Sequence, residues 1–137
     1  MAEAVSRVRD GEVIATAIGV LTQRFGDRVS TSHSMCEQHG HTLTWIPNQP
    51  PDAVLFARSE AEVQEAVRIC AAHGCPIVPF GAGTSLEGHL NAPLGGLSID
   101  VSAMDAIVAV HPEDLDVVIQ PGIRRKALNE QLRDTGL

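Results

Sequence analysis

A glycine-rich segment in the middle of the chain places the strongest limit on its fold. Residues 79–89 read PFGAGTSLEGH, and this segment overlaps the end of the apolar run Ile77–Phe80. Glycine lacks a Cβ, so the backbone can curl and turn successive amide groups into one concavity. Thr84 and Ser85 add two hydroxyl donors. The segment therefore predicts a loop that follows a strand and holds a phosphate group.

Two common phosphate-binding motifs do not fit this segment. A GxGxxG dinucleotide fingerprint that begins at Gly81 requires glycine at the position of Leu86. A Walker loop that begins at Gly83 requires lysine and a hydroxyl residue where His89 and Leu90 stand. The sequence thus argues against a nicotinamide site and against an NTPase. On the glycines alone, a loop that only shapes the surface is an equal alternative.

Prolines divide the chain into two predicted parts. The segment 47–51 contains three prolines, which cannot continue a helix or a central strand. Before it, apolar residues recur every three or four positions between Glu12 and Phe25, and Gly26 follows as a C-cap, which predicts an amphipathic helix. We therefore predict a helical extension over residues 1–49 and a second unit over residues 50–137.

A strand, a helix and a second strand are predicted after this boundary. The apolar run 53–57 predicts a strand, and Ser59 with Glu62 forms a capping box that begins a helix. An apolar stripe at helical spacing continues to Gly74. The stripe consists of Val63, Ala66, Val67, Cys70 and Ala71. Ile77–Phe80 then predicts a buried strand, and the crossover is long enough for parallel pairing.

The rest of the chain is predicted to form three strands and a helix. In residues 97–101 apolar and polar side chains alternate, which predicts one buried face and one polar face. The apolar runs 107–110 and 117–119 flank a turn and predict an antiparallel pair. A final helix is predicted over residues 124–135. Together these elements indicate an α/β fold, with a small mixed sheet and helices packed on it.

Charge and hydropathy argue against several kinds of partner. The net charge of −7 repels a polyanion, so nucleic acid is not a predicted partner. No apolar run approaches the roughly 18 residues of a membrane span. The N-terminus lacks the apolar core of a secretory signal. We predict a protein of the cytoplasm, or one peripheral to the inner membrane.

The cysteines and the clustered histidines are predicted to be structural. Three cysteines are too few, and odd in number, for a disulfide framework, which indicates free thiols in a reducing compartment. Cys70 and Cys75 are predicted to be packing residues rather than nucleophiles. Four possible metal ligands, His33, Cys36, His39 and His41, lie close together, but no second ligand pair follows at a matching distance. We predict a polar loop there and no metal site.

Five segments occur in the order and approximate spacing of a known family. They are PPDAV (50–54), PFGAGTSLEG (79–88), PEDLDV (112–117), QPG (120–122) and RKALN (125–129). Through them the chain resembles the FAD-binding domain of the vanillyl-alcohol oxidase and p-cresol methylhydroxylase (PCMH) superfamily. Within it, the chain is similar to the D-lactate dehydrogenase (cytochrome) and glycolate oxidase D-subunit family. The resemblance implies FAD held between two α/β subdomains, of which this chain provides the first.

The resemblance also implies which residues contact FAD. The glycine loop would wrap the pyrophosphate with backbone amides, and the turn at Pro121 and Gly122 would lie near the adenine. The implied contacts are Pro79, Gly81, Ala82, Gly83, Thr84, Ser85, Leu86, Gly88, His89, Pro121 and Gly122. Some members of the wider superfamily attach flavin covalently to a histidine in or near this loop. The nearer family binds FAD noncovalently, so His89 is predicted to be a contact residue.

The implied activity belongs to a longer protein than these 137 residues. The resemblance implies oxidation of a D-2-hydroxy acid, such as lactate or glycolate, with electrons passed to a cytochrome, a quinone or a partner subunit. In related enzymes the metal-binding and proton-abstracting histidines lie in a later domain, so no residue here is predicted to be catalytic and this chain alone is expected to be inactive. The alternative is a noncatalytic nucleotide-binding or assembly module. Half of a flavin sandwich would expose apolar surface, which predicts a homo-oligomer.

Overall fold

The computed structural model describes residues 8–136, which form four α-helices and six β-strands. In chain order the elements are α1 (Gly11–Phe25), β1 (Val29–Ser30), α2 (His33–Gly40), β2 (Ala53–Phe56), α3 (Glu60–His73), β3 (Ile77–Phe80), β4 (Leu97–Asp100), β5 (Ile107–His111), β6 (Asp116–Ile119) and α4 (Arg125–Leu132). Residues 1–7 and 137 lie outside the described residues. Three predictions concern these residues and lie outside the described part of the chain: the lack of a secretory signal at the N-terminus, the start of the first predicted part at residue 1, and the end of the second at residue 137.

Side-chain caps begin the two long helices, and the cap at Ser59 is the one that the sequence predicts. The Asp10 carboxylate accepts hydrogen bonds from the amides of Glu12 and Val13 at the start of α1. At the start of α3, Ser59 accepts from the Glu62 amide at 3.3 Å. The Glu62 carboxylate does not complete a capping box, because it accepts from the Arg58 amide and pairs with Arg28. A matching sequence pattern therefore yields only half of the motif here.

Four strands form a mixed sheet in the order β1, β2, β4, β3. The strands β2, β4 and β3 are parallel, with Leu55 and Pro79 both opposite Ile99, and β1 adds an antiparallel edge. This confirms the predicted small mixed sheet of an α/β fold. The strands that flank α3 are parallel but not neighbours, because β4 lies between them.

Helices α1 and α3 cover one face of this sheet. Their inward side chains and those of β2 and β4 form one hydrophobic core. From α1 the core receives Ile14, Ala17, Leu21 and Phe25, at the predicted helical spacing. From α3 it receives Ala66 and Cys70, whereas Val67 is 41% exposed and Ala71 is exposed. The predicted stripe on α3 is therefore wider than the face that the helix buries.

The central strand β4 is buried on both faces, so the prediction of a polar face is wrong. Ser98 is fully buried and Asp100 is 5% exposed. The second face is covered near Asp100 by α2, which occupies part of the segment predicted to be a polar loop. Ser32 caps this helix by accepting from the Met35 amide. The sequence of this segment is polar and shows no apolar periodicity, so the helix was not predicted, although it buries Cys36 and His39.

The strand β3 lies at the edge of the sheet and is only half-buried, contrary to the prediction of a buried strand. An edge position tolerates Pro79, because proline has no amide hydrogen to donate to a neighbouring strand. The predicted antiparallel pair is confirmed as β5 and β6, which form a separate two-stranded sheet. The last helix, α4, is shorter than predicted and buries Leu132.

Candidate functional site

The carboxyl ends of the three parallel strands meet at one edge of the sheet. At this edge the glycine loop, residues 81–88, follows β3, and the segment 101–104 follows β4. The Val101 amide donates to the Phe80 carbonyl at 3.0 Å and joins the two strand ends. Ligands of open α/β sheets commonly bind outside the carboxyl ends of the strands. The predicted phosphate loop therefore lies at the edge of the sheet that suits a ligand.

The backbone of the glycine loop offers hydrogen-bond donors. Among residues 8–136, none of the amides from Gly81 to Gly88 donates a hydrogen bond to another protein group. Gly83 and Gly88 have φ values of 69° and 73°, which side chains rarely allow. A Cβ on Gly83 would lie 2.9 Å from Phe80 Cζ, and one on Gly88 would lie 2.8 Å from Ile46 Cδ1. The positive φ values therefore favour glycine at both positions, and the Phe80 ring also leaves little space for a Cβ at Gly83.

A buried histidine and a buried aspartate support the loop from within the protein. The His39 ring packs on the Phe80 ring with 4.1 Å between centroids, and the same Phe80 ring contacts Gly83. His39 Nε2 lies 3.0 Å from Asp100 Oδ2, and His39 Nδ1 lies 2.9 Å from the Met35 carbonyl. The other Asp100 oxygen accepts from the Ser102 amide at 2.8 Å. Helix α2 and strand β4 thus hold the base of the loop in place.

The electrostatics of this pair favour the carboxylate form of Asp100. Burial raises the pKa of Asp100, but the hydrogen bonds from His39 and Ser102 lower it more, so the pKa lies below its ordinary value of 3.8. Both ring nitrogens of His39 face an oxygen atom, so the imidazole donates to whichever of them its proton position allows. The pair fixes the orientation of the imidazole ring against Phe80.

The polar side chains of the loop lie at or near the surface. Ser85 Oγ lies 2.7 Å from His89 Nδ1, and this contact closes the second half of the loop. Thr84 and Leu86 are exposed, Leu86 to 67%. Ala82 and His89 are also exposed, and Pro79 is an exposed residue of β3. The structure therefore brings the predicted contacts from Pro79 to His89 together at one open surface.

The predicted contacts Pro121 and Gly122 lie in a neighbouring turn at the same edge. The Gly122 amide donates to the Met104 carbonyl at 2.8 Å, so this turn packs on the segment that follows β4. A Cβ on Gly122 would lie 2.4 Å from the Val101 carbonyl oxygen, which leaves no room for a side chain. Within the described residues no hydrogen bond joins this turn to the glycine loop. The two predicted contact groups are therefore adjacent but separate.

Sequence reasoning missed the supporting residues His39 and Asp100. Asp100 alternates with apolar neighbours and so has the pattern of a solvent-facing residue. His39 lies in a polar stretch where no apolar periodicity indicates a helix. One available signal is the position of Asp100 at the end of a strand beside the glycine loop, where a buried charge requires a partner.

Two other kinds of site are absent from the described residues. Residues 8–136 contain no group of three or more His, Cys, Asp or Glu side chains placed to hold a metal ion. In the same range, none of the helices has the length and apolar character needed to cross a bilayer.

The thiol of Cys36 is buried in α2. Burial raises the pKa of the Cys36 thiol, and the negative charges of Asp52 and Glu37 add to this effect.

The fold is that of the PCMH-type flavoproteins. The solved structure of p-cresol methylhydroxylase with substrate bound superposes with a TM-score of 0.77 at 19% identity, over 93% of this chain and 26% of that chain. Residues 51–137 match the family described as FAD binding domain. The chain belongs to that family, which confirms the predicted family and the predicted cofactor, FAD.

Similar curated proteins are D-lactate dehydrogenases of much greater length. The chain is 45% identical to a probable mitochondrial D-lactate dehydrogenase of Danio rerio, over 80% of this chain and 22% of that protein. It is 49% identical to the mitochondrial D-lactate dehydrogenase [cytochrome] of Arabidopsis thaliana, over 64% of this chain and 15% of that protein. The chain thus spans about a fifth of the length of such relatives.

Proposed function

We propose that the glycine loop binds the pyrophosphate of FAD noncovalently and that the turn at Pro121 and Gly122 flanks its adenine. The observation that carries this proposal is the set of loop amides, from Gly81 to Gly88, that donate to no protein group in the described part of the chain. Backbone amide donors without a protein acceptor are suited to an anion. Loop positions that exclude a Cβ let the phosphates approach the backbone closely.

The backbone amides and the hydroxyl side chains of the loop fit a hydrogen-bonding cradle. Thr84 and Ser85 can add hydroxyl donors to the amides, and His89 can donate through the ring nitrogen that does not face Ser85. The buried contact between Phe80 and His39 keeps the loop in one shape before the ligand arrives. A preformed loop loses less conformational entropy on binding.

The proposed activity of the whole protein is oxidation of a D-2-hydroxy acid to the 2-oxo acid. Two observations support this activity: the chain belongs to the FAD binding domain family, and the similar curated proteins are named D-lactate dehydrogenases. Bound FAD supplies the hydride acceptor for such a reaction. In this proposal the chain orients FAD through the loop and contributes no proton-transferring residue, and the electron acceptor is a cytochrome, a quinone or a partner subunit. The cytoplasmic location stays a prediction, and both relatives are named mitochondrial.

Two substitutions at one glycine test the phosphate site. A Cβ on Gly81 would meet no atom within 4 Å, so Gly81→Asp and Gly81→Asn both fit and differ mainly in charge. A carboxylate beside the pyrophosphate should weaken FAD binding by about 10- to 100-fold, whereas the neutral amide should have a much smaller effect. Calorimetric titration of FAD into the wild type and both variants measures this. Equal affinities of the two variants, or no binding by the wild type, would contradict the proposal.

The second candidate function is a noncatalytic nucleotide-binding or assembly module. The exposed apolar side chains of the hairpin favour it, since Val108, Val118 and Ile119 are 64%, 47% and 40% exposed. A module of this kind would form homo-oligomers through that face. Light scattering of the purified chain should then give a mass above one chain, and Val118→Asp should return it to a monomer.

A further inference from the structure

Two cysteines face each other where α3 ends. Gly74 takes the left-handed conformation, with φ of 67° and ψ of 20°. Its amide donates to the Ala71 carbonyl at 3.2 Å, and the Cys75 amide donates to the Cys70 carbonyl at 2.9 Å. These two bonds define a Schellman motif, in which the side chains at the positions of Cys70 and Cys75 typically contact each other. In most proteins that contact is purely hydrophobic, whereas here both members carry a thiol.

The two thiols are free and buried beside the same cavity. Cys70 is fully buried and Cys75 is 6% exposed, and neither is in a disulfide. Both side chains line one cavity of about 530 Å³, together with Asp10, Ile14 and Pro76 among others. A cavity of this size admits a small oxidant to Cys75, the more exposed of the two thiols.

We propose that Cys70 and Cys75 form a reversible dithiol–disulfide site that small peroxides close. Cys75 is the attacking residue and Cys70 is the resolving residue. The site lies at the amino end of β3, because Cys75 and Pro76 directly precede that strand. The glycine loop lies at the opposite end of the same strand, so this proposal is independent of FAD binding.

The chemistry begins at Cys75, because it is the more exposed of the two thiols and the one that a peroxide in the cavity reaches. In the thiol form, Cys75 Sγ lies 3.6 Å from the Pro76 carbonyl oxygen and donates to it. The neighbouring Cys70 thiol lowers the pKa of Cys75 against the opposing effect of burial, which favours the thiolate that attacks.

The proposed reaction balances in two steps. The Cys75 thiolate attacks one peroxide oxygen, the O–O bond breaks, and hydroxide leaves and takes up the proton that Cys75 lost, so that Cys75 becomes a sulfenic acid and one water forms. Cys70 then attacks the Cys75 sulfur, the S–O bond breaks, and a second water is released. The two thiols lose two protons and two electrons, and the peroxide is reduced to water. A dithiol reductant reverses the change by thiol–disulfide exchange.

Peptide mass spectrometry of the oxidised chain tests the proposal. After treatment with hydrogen peroxide, free thiols are alkylated and the chain is digested with trypsin. Both cysteines then lie in the peptide 69–124, and Cys36 lies in the peptide 29–58. We expect the first peptide to carry a Cys70–Cys75 link, with the mass of two hydrogens lost and no alkylation. Cys36 should remain alkylated because burial raises its pKa.

Single-cysteine variants distinguish the two roles. In Cys70→Ser, Cys75 has no resolving partner, so a sulfenic-acid trap should label Cys75. In Cys75→Ser, Cys70 should remain an unreacted thiol. The wild-type result does not depend on either variant folding. Full alkylation of both cysteines after peroxide, or linkage to Cys36 at a similar yield, would overturn the proposal.

Discussion

Replacing His39 with alanine should destabilise the fold because it breaks the buried support of the glycine loop. The change removes the contacts of the two imidazole nitrogens with Asp100 and with the Met35 carbonyl. It also removes the ring contact with Phe80. Asp100 is 5% exposed and would lose a partner without gaining water.

The expected cost follows from these contacts. A hydrogen bond to a charged group contributes about 1.5–3 kcal/mol, and an aromatic pair adds about 0.5–1.5 kcal/mol. Together these contributions give about 2–4.5 kcal/mol. Because the Ser102 amide still satisfies one Asp100 oxygen, we expect a loss of about 3 kcal/mol.

Urea denaturation followed by circular dichroism measures this loss. With a slope of about 1.5 kcal/mol per molar urea, the midpoint should fall by about 2 M. His33→Ala is the matched control, because the His33 side chain is 90% exposed and 3.9 Å from Glu37, so its removal should change stability by less than about 0.5 kcal/mol. A double-mutant cycle with Asp100→Ala should show coupling of at least about 1 kcal/mol. A loss below about 1 kcal/mol for His39→Ala, or additive effects in the cycle, would refute the reasoning.

Two further predictions concern acid stability and packing. The folded pKa of Asp100 lies below its ordinary value of 3.8, so its stabilising effect is present above that value and is lost as the pH falls through the folded pKa. Urea midpoints measured between pH 2 and 6 should therefore fall steeply at the acid end, and less steeply in Asp100→Asn. Gly122→Ala should destabilise by about 2–3 kcal/mol, because its Cβ would lie 2.4 Å from a carbonyl oxygen. Gly19→Ala in α1 meets no atom within 4 Å and should stabilise by about 0.5–1 kcal/mol, and thermal melts of both variants check the pair.

Local sequence signals predicted α1, α3, α4 and the hairpin, where a single element determines the pattern. Gly26 ends α1 and Gly74 ends α3 as the sequence predicts, because caps act within one turn of helix. The hairpin of β5 and β6 was predictable from two apolar runs around a turn. The glycine loop was identified from its composition and its position after a strand, since both are local properties.

Residue burial could not be predicted in the same way. The alternation in β4 predicts a polar face, yet Ser98 and Asp100 are buried because α2 packs over them. The apolar run of β3 predicts burial, yet this strand lies at the sheet edge because β4 is inserted between β2 and β3. Both outcomes depend on which elements become neighbours, and the periodicity of one strand contains no information about its neighbours.

The sequence by itself therefore determined most of the elements, α2 excepted, and the glycine loop, because each depends on residues close together in the chain. Only the tertiary structure decided that His39 of α2 supports Phe80 and Asp100, residues that follow it by 41 and 61 positions, respectively. It also decided that Cys70 and Cys75, which the sequence presents as packing residues, line one cavity. The physical reason is that burial and side-chain pairing are properties of surfaces brought together by folding.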